Sequence, residues 1–240
     1  MSRIIAVVSA KGGVGKSSIC TGLGKALCER GLSVLLVDTD ISLRSLDVLL
    51  NAGETAVFDW GDILQKNCTA SKAFLPITDK LFLLRAPASG NNINSEDFVD
   101  LIKRISKSFD FVILDSPAGL EKGFNLCVSA AREALVVSTP DEVSIRAAPV
   151  AADRVRKSGI SQQRLIINRY SKKLSLRSVD EVIDGTSVRL IGIIPEDREL
   201  LLSANGHSLT SFSSAALAFK RIAGRVLGES IPLKLKGLNL

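Results

Sequence analysis

The stretch SAKGGVGKSS, residues 9–18, places three glycines, two lysines and a serine pair directly after an apolar run, a mixture suited to gripping phosphate. Gly12, Gly13 and Gly15 let the backbone curl so that N–H groups, those of Val14 and Lys16 among them, point inward at anionic oxygens. Lys16 then faces the β- and γ-phosphates of a nucleotide, and the Ser17 hydroxyl, with Ser18 beside it, is placed to ligate Mg²⁺. The helix expected next carries Ile19, Leu23, Ala26 and Leu27 on its apolar side and offers its positive N-terminus to the same anion. Two features depart from the usual G-x-x-x-x-G-K-[ST] spacing. Ala10 stands where a glycine is expected, and it fits if its φ is negative. Lys11 is a surplus cation. On the same phosphates it would crowd Lys16, so a long side chain leaving the loop suits a phosphate held by a second subunit, or simply solvent.

Carboxylates come at matching places. The run LSVLLVDTD ends in Asp38 and Asp40, which strict alternation along a strand would put on one side. The run FVILDSPAG ends in Asp115, followed by a turn at Ser116–Gly119. A lone strand-end aspartate is commonly a cap, but three converging on a phosphate loop point to magnesium and to an attacking water. Phosphoryl transfer to water needs little more than an aligned nucleophile and positive charge on the transferring group.

Such residues must be held by strands. Nearly continuous apolar runs occur at Ile4–Val8, Val34–Val37, Leu81–Leu84, Phe111–Leu114, Ala134–Val137, Leu165–Ile167 and Leu190–Ile194, as strands buried on both faces require. Amphipathic segments separate them. Ser95–Lys107, for example, carries Phe98, Leu101, Ile102 and Ile105 at helical spacing, with Ser95 as its expected N-cap. Strand and helix alternating to the end predict an α/β fold: a doubly wound, mostly parallel sheet flanked by helices, whose ligands sit beyond the carboxyl ends of the strands. No linker or repeat interrupts the pattern, so residues 1–232 are expected to form one domain, with 233–240 as a short tail.

Composition bounds the setting. The 240 residues are 46% hydrophobic and 23% charged, enough for a sizeable core. No stretch approaches the roughly 20 apolar residues of a membrane span. Cys20, Cys28, Cys68 and Cys127 show neither C-x-x-C spacing nor a disulfide framework, which suits a reducing cytoplasm. The net charge of +6 favours anionic partners. Arg154, Arg156, Lys157, Arg164, Arg169, Lys172, Lys173 and Arg177 form a stretch without an acidic residue, either a solvated face or a binding patch.

The motif K-G-G-V-G-K-[ST] resembles the deviant Walker A motif of the MinD/ParA ATPases, a class of P-loop NTPases. The likeness extends through DTDISLRSLDVLL (38–50), FDFVILDSPAGLEKGF (109–124), EALVVSTPDEVSIRAA (133–148), LIINR (165–169), IGIIPED (191–197) and AFKRIAGRVLGESIPL (218–233), and is nearest to the MinD branch. The resemblance implies a slow, dimer-dependent ATP hydrolase in which Lys11 reaches across an ATP-sandwich dimer. It further implies that Asp40 activates water, that Ser17, Asp38 and Asp115 support magnesium, that Asn168 reads the adenine edge, and that Pro195, Glu196 and Asp197 close over the base. The cofactors implied are ATP and Mg²⁺. The partners implied are a second copy, a MinC-like inhibitor and a MinE- or MinJ-like topological factor, at the division site.

One departure concerns the membrane. Relatives end in an amphipathic helix that enters lipid, whereas this chain ends PLKLKGLNL, with Leu233, Leu235, Leu238 and Leu240 beside Lys234 and Lys236 but with Gly237 and no aromatic residue. So short a peptide forms helix poorly, so any peripheral binding to an anionic inner membrane surface would be weak. Two other functions compete. A ParA-like or flagellar-number-type positioning ATPase would bind DNA or a cargo adaptor, through the 154–177 stretch with Lys220, Arg221 and Arg225. A nitrogenase-reductase or Mrp-like iron–sulfur carrier would need paired cysteines at a subunit interface, and none has that spacing. His207, in a polar loop, is assigned no chemistry.

Overall fold

A computed structural model describes residues 2–41, 43–53, 57–87, 93–203, 210 and 212–233. Its strands are β1 (Arg3–Val8), β2 (Val34–Asp38), β3 (Leu75–Pro76), β4 (Leu81–Leu84), β5 (Phe111–Asp115), β6 (Glu133–Ser138), β7 (Gln162–Tyr170) and β8 (Leu190–Pro195). They form an eight-stranded sheet in the order β3-β4-β2-β5-β1-β6-β7-β8, parallel throughout except where β3 pairs antiparallel with β4 at one edge. Each expected apolar run is a strand. The two-residue β3 was not expected, because Leu75-Pro76 is too short to show any periodicity.

The helices that matter to the site are α1 (Lys16–Cys28), α2 (Ser45–Leu49), α3 (Trp60–Leu64), α4 (Ala70–Ala73), α5 (Ser95–Ile105), α6 (Lys122–Ala130), α7 (Glu142–Lys157), α8 (Val179–Thr186), α9 (Arg198–Ser203) and α10 (Ser214–Val226). In α5 the cap is Asn94, whose side chain accepts from the Glu96 N–H, and Ser95 is the first helical residue. The helix ends at Ile105 and tightens into a 3₁₀ turn at Ser106–Ser108, two residues short of the amphipathic pattern.

Alternate residues of each strand serve opposite faces. Ile5 and Val7 join the layer formed with α1 and α10, while Ile4, Ala6 and Val8 join the one formed with α3, α5, α6, α7 and α8. β1 lies between β5 and β6, so the chain leaves it toward β2 on one side and later builds β6, β7 and β8 on the other. A crevice opens where the order reverses, beyond the strands' carboxyl ends.

The α1–α10 contact is tight because Gly22 lies against the buried ring of Phe219, and a Cβ at residue 22 would overlap three of its carbons. Gly22→Ala should therefore destabilise the protein by about 1–3 kcal/mol, although alanine is the better helix former. Thermal unfolding of the single variant and of Gly22→Ala with Phe219→Leu checks this, and the second change should restore part of the loss.

Candidate functional site

The first loop of the crevice follows β1. Gly13 and Gly15 have φ of +72° and +92°, a region that L side chains rarely adopt, and Ala10 is not among the positive-φ residues. Alanine is therefore accommodated where the sequence motif has glycine. Gly15 is the N-cap of α1 and has no side chain to cap it, so the free N–H groups of that helix face the loop. Lys16, at the first helical position, is 8% exposed and lends its charge to Asp115.

Gly15 is required for a second reason, since a Cβ there would overlap the Asn168 amide. Asn168 Nδ2 donates to the Val14 carbonyl at 2.7 Å, while its Oδ1 is buried and has no partner. An orphaned buried acceptor calls for a donor. An adenine amine supplies one, whereas the guanine carbonyl at the same position would face oxygen with oxygen. The pocket around it, of a kind that could take a base, is lined by Gly15, Ser18, Asn168, Pro195 and Glu196, with Leu200 and Leu201 of α9. Asp197 reaches it too, but its carboxylate is committed elsewhere. Oδ1 accepts from the Glu199 N–H at 2.8 Å, and Oδ2 accepts from the Ser214 hydroxyl at 2.7 Å and the Ala215 N–H at 2.8 Å.

Asp38 and Asp115 are register partners at the ends of β2 and β5, both 1% exposed. Burial pushes the Asp38 carboxyl up to about 6, with Asp40 and Asp47 adding repulsion against the N–H groups of Asp40 and Leu46. Burial, then the charge of Asp38, pushes Asp115 up to about 7, against Ser17, Lys16 and Cys20. Two adjacent hard-oxygen ligands short of positive charge, with the Ser17 hydroxyl beside them, fit a magnesium ion.

Asp40 arrives by another route than alternation. The Thr39 N–H gives the last rung of the β2–β5 ladder to the Asp115 carbonyl at 3.1 Å, its hydroxyl adds a second bond to that carbonyl at 2.6 Å, and the strand ends there. Asp40 is instead tied back through its own N–H, which donates to Asp38 Oδ1 at 2.8 Å. The other Asp38 oxygen accepts from the Leu46 N–H at 3.2 Å, and the Trp60 indole N–H donates to the Asp38 carbonyl at 2.9 Å. Asp38 thus frames the loop that carries Asp40. Asp40 Oδ1 itself accepts from the Leu43 N–H at 3.2 Å. Ser45, at the start of α2, was not singled out in the sequence, and its hydroxyl lies 2.9 Å from that of Ser17.

Lys11 does not fold back onto its own phosphate cradle. Its Nζ donates to both oxygens of Asp141, at 2.8 and 2.9 Å. Asp141 also caps α7 by accepting from the Ser144 N–H at 3.0 Å, and takes the Thr139 hydroxyl at 2.6 Å. Burial alone would raise its carboxyl, but these donors outweigh it and hold the group below the ordinary range. D-x-x-S before a helix marks Asp141 as a cap, yet nothing in the sequence joins it to Lys11. The pair borders a cavity of about 300 Å³ lined also by Arg169, Leu174, Leu176 and Glu196.

The basic stretch is largely engaged within the chain. Arg156 and Lys157 pair with Asp153, Arg177 bridges Glu142 and Glu181, and Arg154 donates to Asn125. Lys220 pairs with Glu29, and the Arg225 guanidinium donates to the carbonyls of Ile231, Ile191 and Pro232. A guanidinium with three carbonyl partners is a structural clamp, so the expectation that Arg225 serves DNA is not met. His207 and the tail beyond Leu233 lie outside the described residues. Among those residues no helix is long and apolar enough to cross a membrane.

The ParA family model, described as the NUBPL iron-transfer P-loop NTPase, matches residues 1–175. The four cysteines here are free thiols, Cys20 and Cys127 buried. The chain is 37% identical to the septum site-determining protein MinD of Synechocystis, over 97% of this chain and 92% of that protein. It is also similar to MinD in the MinC:MinD cell division protein complex of Aquifex aeolicus, with a TM-score of 0.87 and 33% identity over 97% of this chain and 98% of that one. The Pyrococcus horikoshii septum site-determining protein MinD, complexed with Mg-ADP, superposes with a TM-score of 0.87 at 25% identity, over 100% of this chain and 99% of that one.

Asn168→Ala tests the base pocket. Losing the buried acceptor should weaken ATP binding by about 1–3 kcal/mol, roughly 5- to 150-fold, and GTP binding far less. Calorimetric titration with both nucleotides measures the change in preference.

Proposed function

The chain belongs to the MinD/ParA family of P-loop NTPases, and on that footing we propose that it is a MinD-type ATP switch that acts in positioning the division site. ATP binds on Mg²⁺, two copies pair with their nucleotides facing, and hydrolysis to ADP and phosphate releases them. Partners in this reading are a MinC-like inhibitor and a MinE- or MinJ-like topological factor. The MinC:MinD complex of a relative supports the first of these.

The observation that carries the reading is the position of Lys11, paired with Asp141 beside a cavity rather than on its own phosphate loop. Both side chains are about one-third exposed, so the pair is worth only about 1 kcal/mol or less. A facing triphosphate offers more charge than that. The cavity rim suits a second copy of itself. Arg169 and Glu196 supply both signs of charge, and Leu174 and Leu176 are 75% and 82% exposed. A two-fold interface needs such self-complementarity.

In this mechanism the α1 N-terminus and Lys16 bind the β- and γ-phosphates, and Ser17, Asp38 and Asp115 hold magnesium. The ion supplies positive charge to the transferring group. Asp40 leaves its turn to align the attacking water, and the partner's Lys11 offsets charge where two nucleotides meet in a dry interface. In this reading turnover waits on the pairing of two copies and is slow. Any membrane contact would fall to the 233–240 tail.

Mixing two inactive variants gives the sharpest test. Lys11→Ala alone should bind ATP and stay inactive, and Asp40→Ala alone should bind ATP, dimerise and not hydrolyse it. In a mixed dimer the Lys11→Ala subunit keeps Asp40 and receives Lys11 from its partner, so one composite site is complete. Hydrolysis should return, approaching half the wild-type rate per dimer. A mixture as inactive as its components means that Lys11 works within its own subunit.

A further inference from the structure

The Asp115 carboxylate has a second donor that the nucleotide chemistry does not require. Ser17 and Cys20 lie three residues apart on α1, so their side chains share one face of the helix. Both lie beside Asp115: Ser17 is near enough to favour its charged form, and Cys20 Sγ donates to Oδ1 at 3.6 Å. The two are not equivalent. Ser17 also lies 2.9 Å from the Ser45 hydroxyl and is itself read above as a ligand of the ion, to which it turns an oxygen lone pair. The Cys20 thiol is fully buried, and Asp115 is its acceptor.

We infer that Cys20 is a positioning residue of the metal site: its thiol fixes the orientation of the Asp115 carboxylate beside Ser17 and so sets how tightly the nucleotide-bound site holds magnesium. This rests on the reading above that Ser17 and Asp115 hold the ion. A carboxylate can rotate about Cβ–Cγ, and a thiol donor held on α1 restricts that rotation. Partners of metal-binding carboxylates that never touch the metal commonly carry much of its affinity. The thiol also suits its place, since it fills the apolar layer between α1 and the sheet while still offering a proton.

Packing alone would explain a buried cysteine equally well, so the test must separate the two. Cys20→Ala removes the donor and leaves an apolar side chain, whereas Cys20→Ser keeps a donor and puts a polar atom into the core. Trp60, the sole tryptophan, donates to the Asp38 carbonyl and reports on the site without turnover. Magnesium is titrated into each protein at saturating ATP while Trp60 fluorescence is followed, with nucleotide affinity in EDTA measured alongside. Cys20→Ala should need about tenfold more magnesium at half-saturation, with nucleotide affinity in EDTA unchanged. Cys20→Ser should fall near wild type even if its melting temperature is the lower of the two. Cys127→Ala, which removes an equally buried thiol that donates to the Leu114 carbonyl, should leave magnesium affinity unaltered. Should Cys20→Ala not fold, Cys20→Val takes its place. Alanine and serine shifting magnesium affinity alike, or neither shifting it, overturns the inference and leaves the metal site standing. A wild-type protein whose nucleotide response ignores magnesium overturns both.

Discussion

Two carboxylates at the ends of neighbouring parallel strands, almost out of reach of water, are the constraint around which this structure is arranged. Burial raises both carboxyls, and the charge of Asp38 adds to the rise of Asp115. Such a pair costs the fold stability on its own, a cost that a bound cation would offset. Its neighbours are arranged to make the pair tolerable. Backbone N–H groups of Asp40 and Leu46 meet Asp38, while Lys16, Ser17 and Cys20 approach Asp115 from α1. The Thr39 side chain and N–H lock the two strand ends together through the Asp115 carbonyl. The loop that carries Asp40 and Ser45 takes its course from these contacts.

Most of this frame was legible in the sequence, because it depends on residue type over short distances. Glycines at the phosphate loop, apolar runs for doubly covered strands and an aspartate at the end of two of those runs are local signals. The failures are instructive for the same reason. Alternation through Asp38 and Asp40 presumed that the strand continues, whereas the Asp40 N–H leaves the ladder for the Asp38 carboxylate. The partnership of Lys11 with Asp141, and of Cys20 with Asp115, joins segments that only the sheet order brings together. The basic stretch looked unopposed because its acidic partners, Glu142, Asp153 and Glu181, lie just outside it in sequence. At Asn94 and Ser95 two good capping residues stand side by side, and sequence offers no way to choose between them.

The site also illustrates how a weak contact is useful. Had Lys11 been fully buried with Asp141, separating them would leave an uncompensated charge in the interior, at a cost of several kcal/mol. At one-third exposure each partner keeps some hydration, so the lysine is held in a defined place without being trapped there. Asp141 has other donors in Thr139 and the start of α7, so it does not depend on the lysine for company.

Asp197 shows that nearness to a ligand and dependence on it are different things. Its carboxylate ties the loop beside the base pocket to the N-terminus of α10, with one bond to the start of α9 and two to that of α10. Removing a cap of this kind costs about 0.5–2 kcal/mol before any ligand is present. In a mutational scan scored by nucleotide binding, Asp197 would therefore rank as a contact residue although its side chain acts as a splice between helices. The ranking would measure how much protein stayed folded. Scans of this pocket need a stability score for every variant, and positions whose two scores fall together belong to the scaffold.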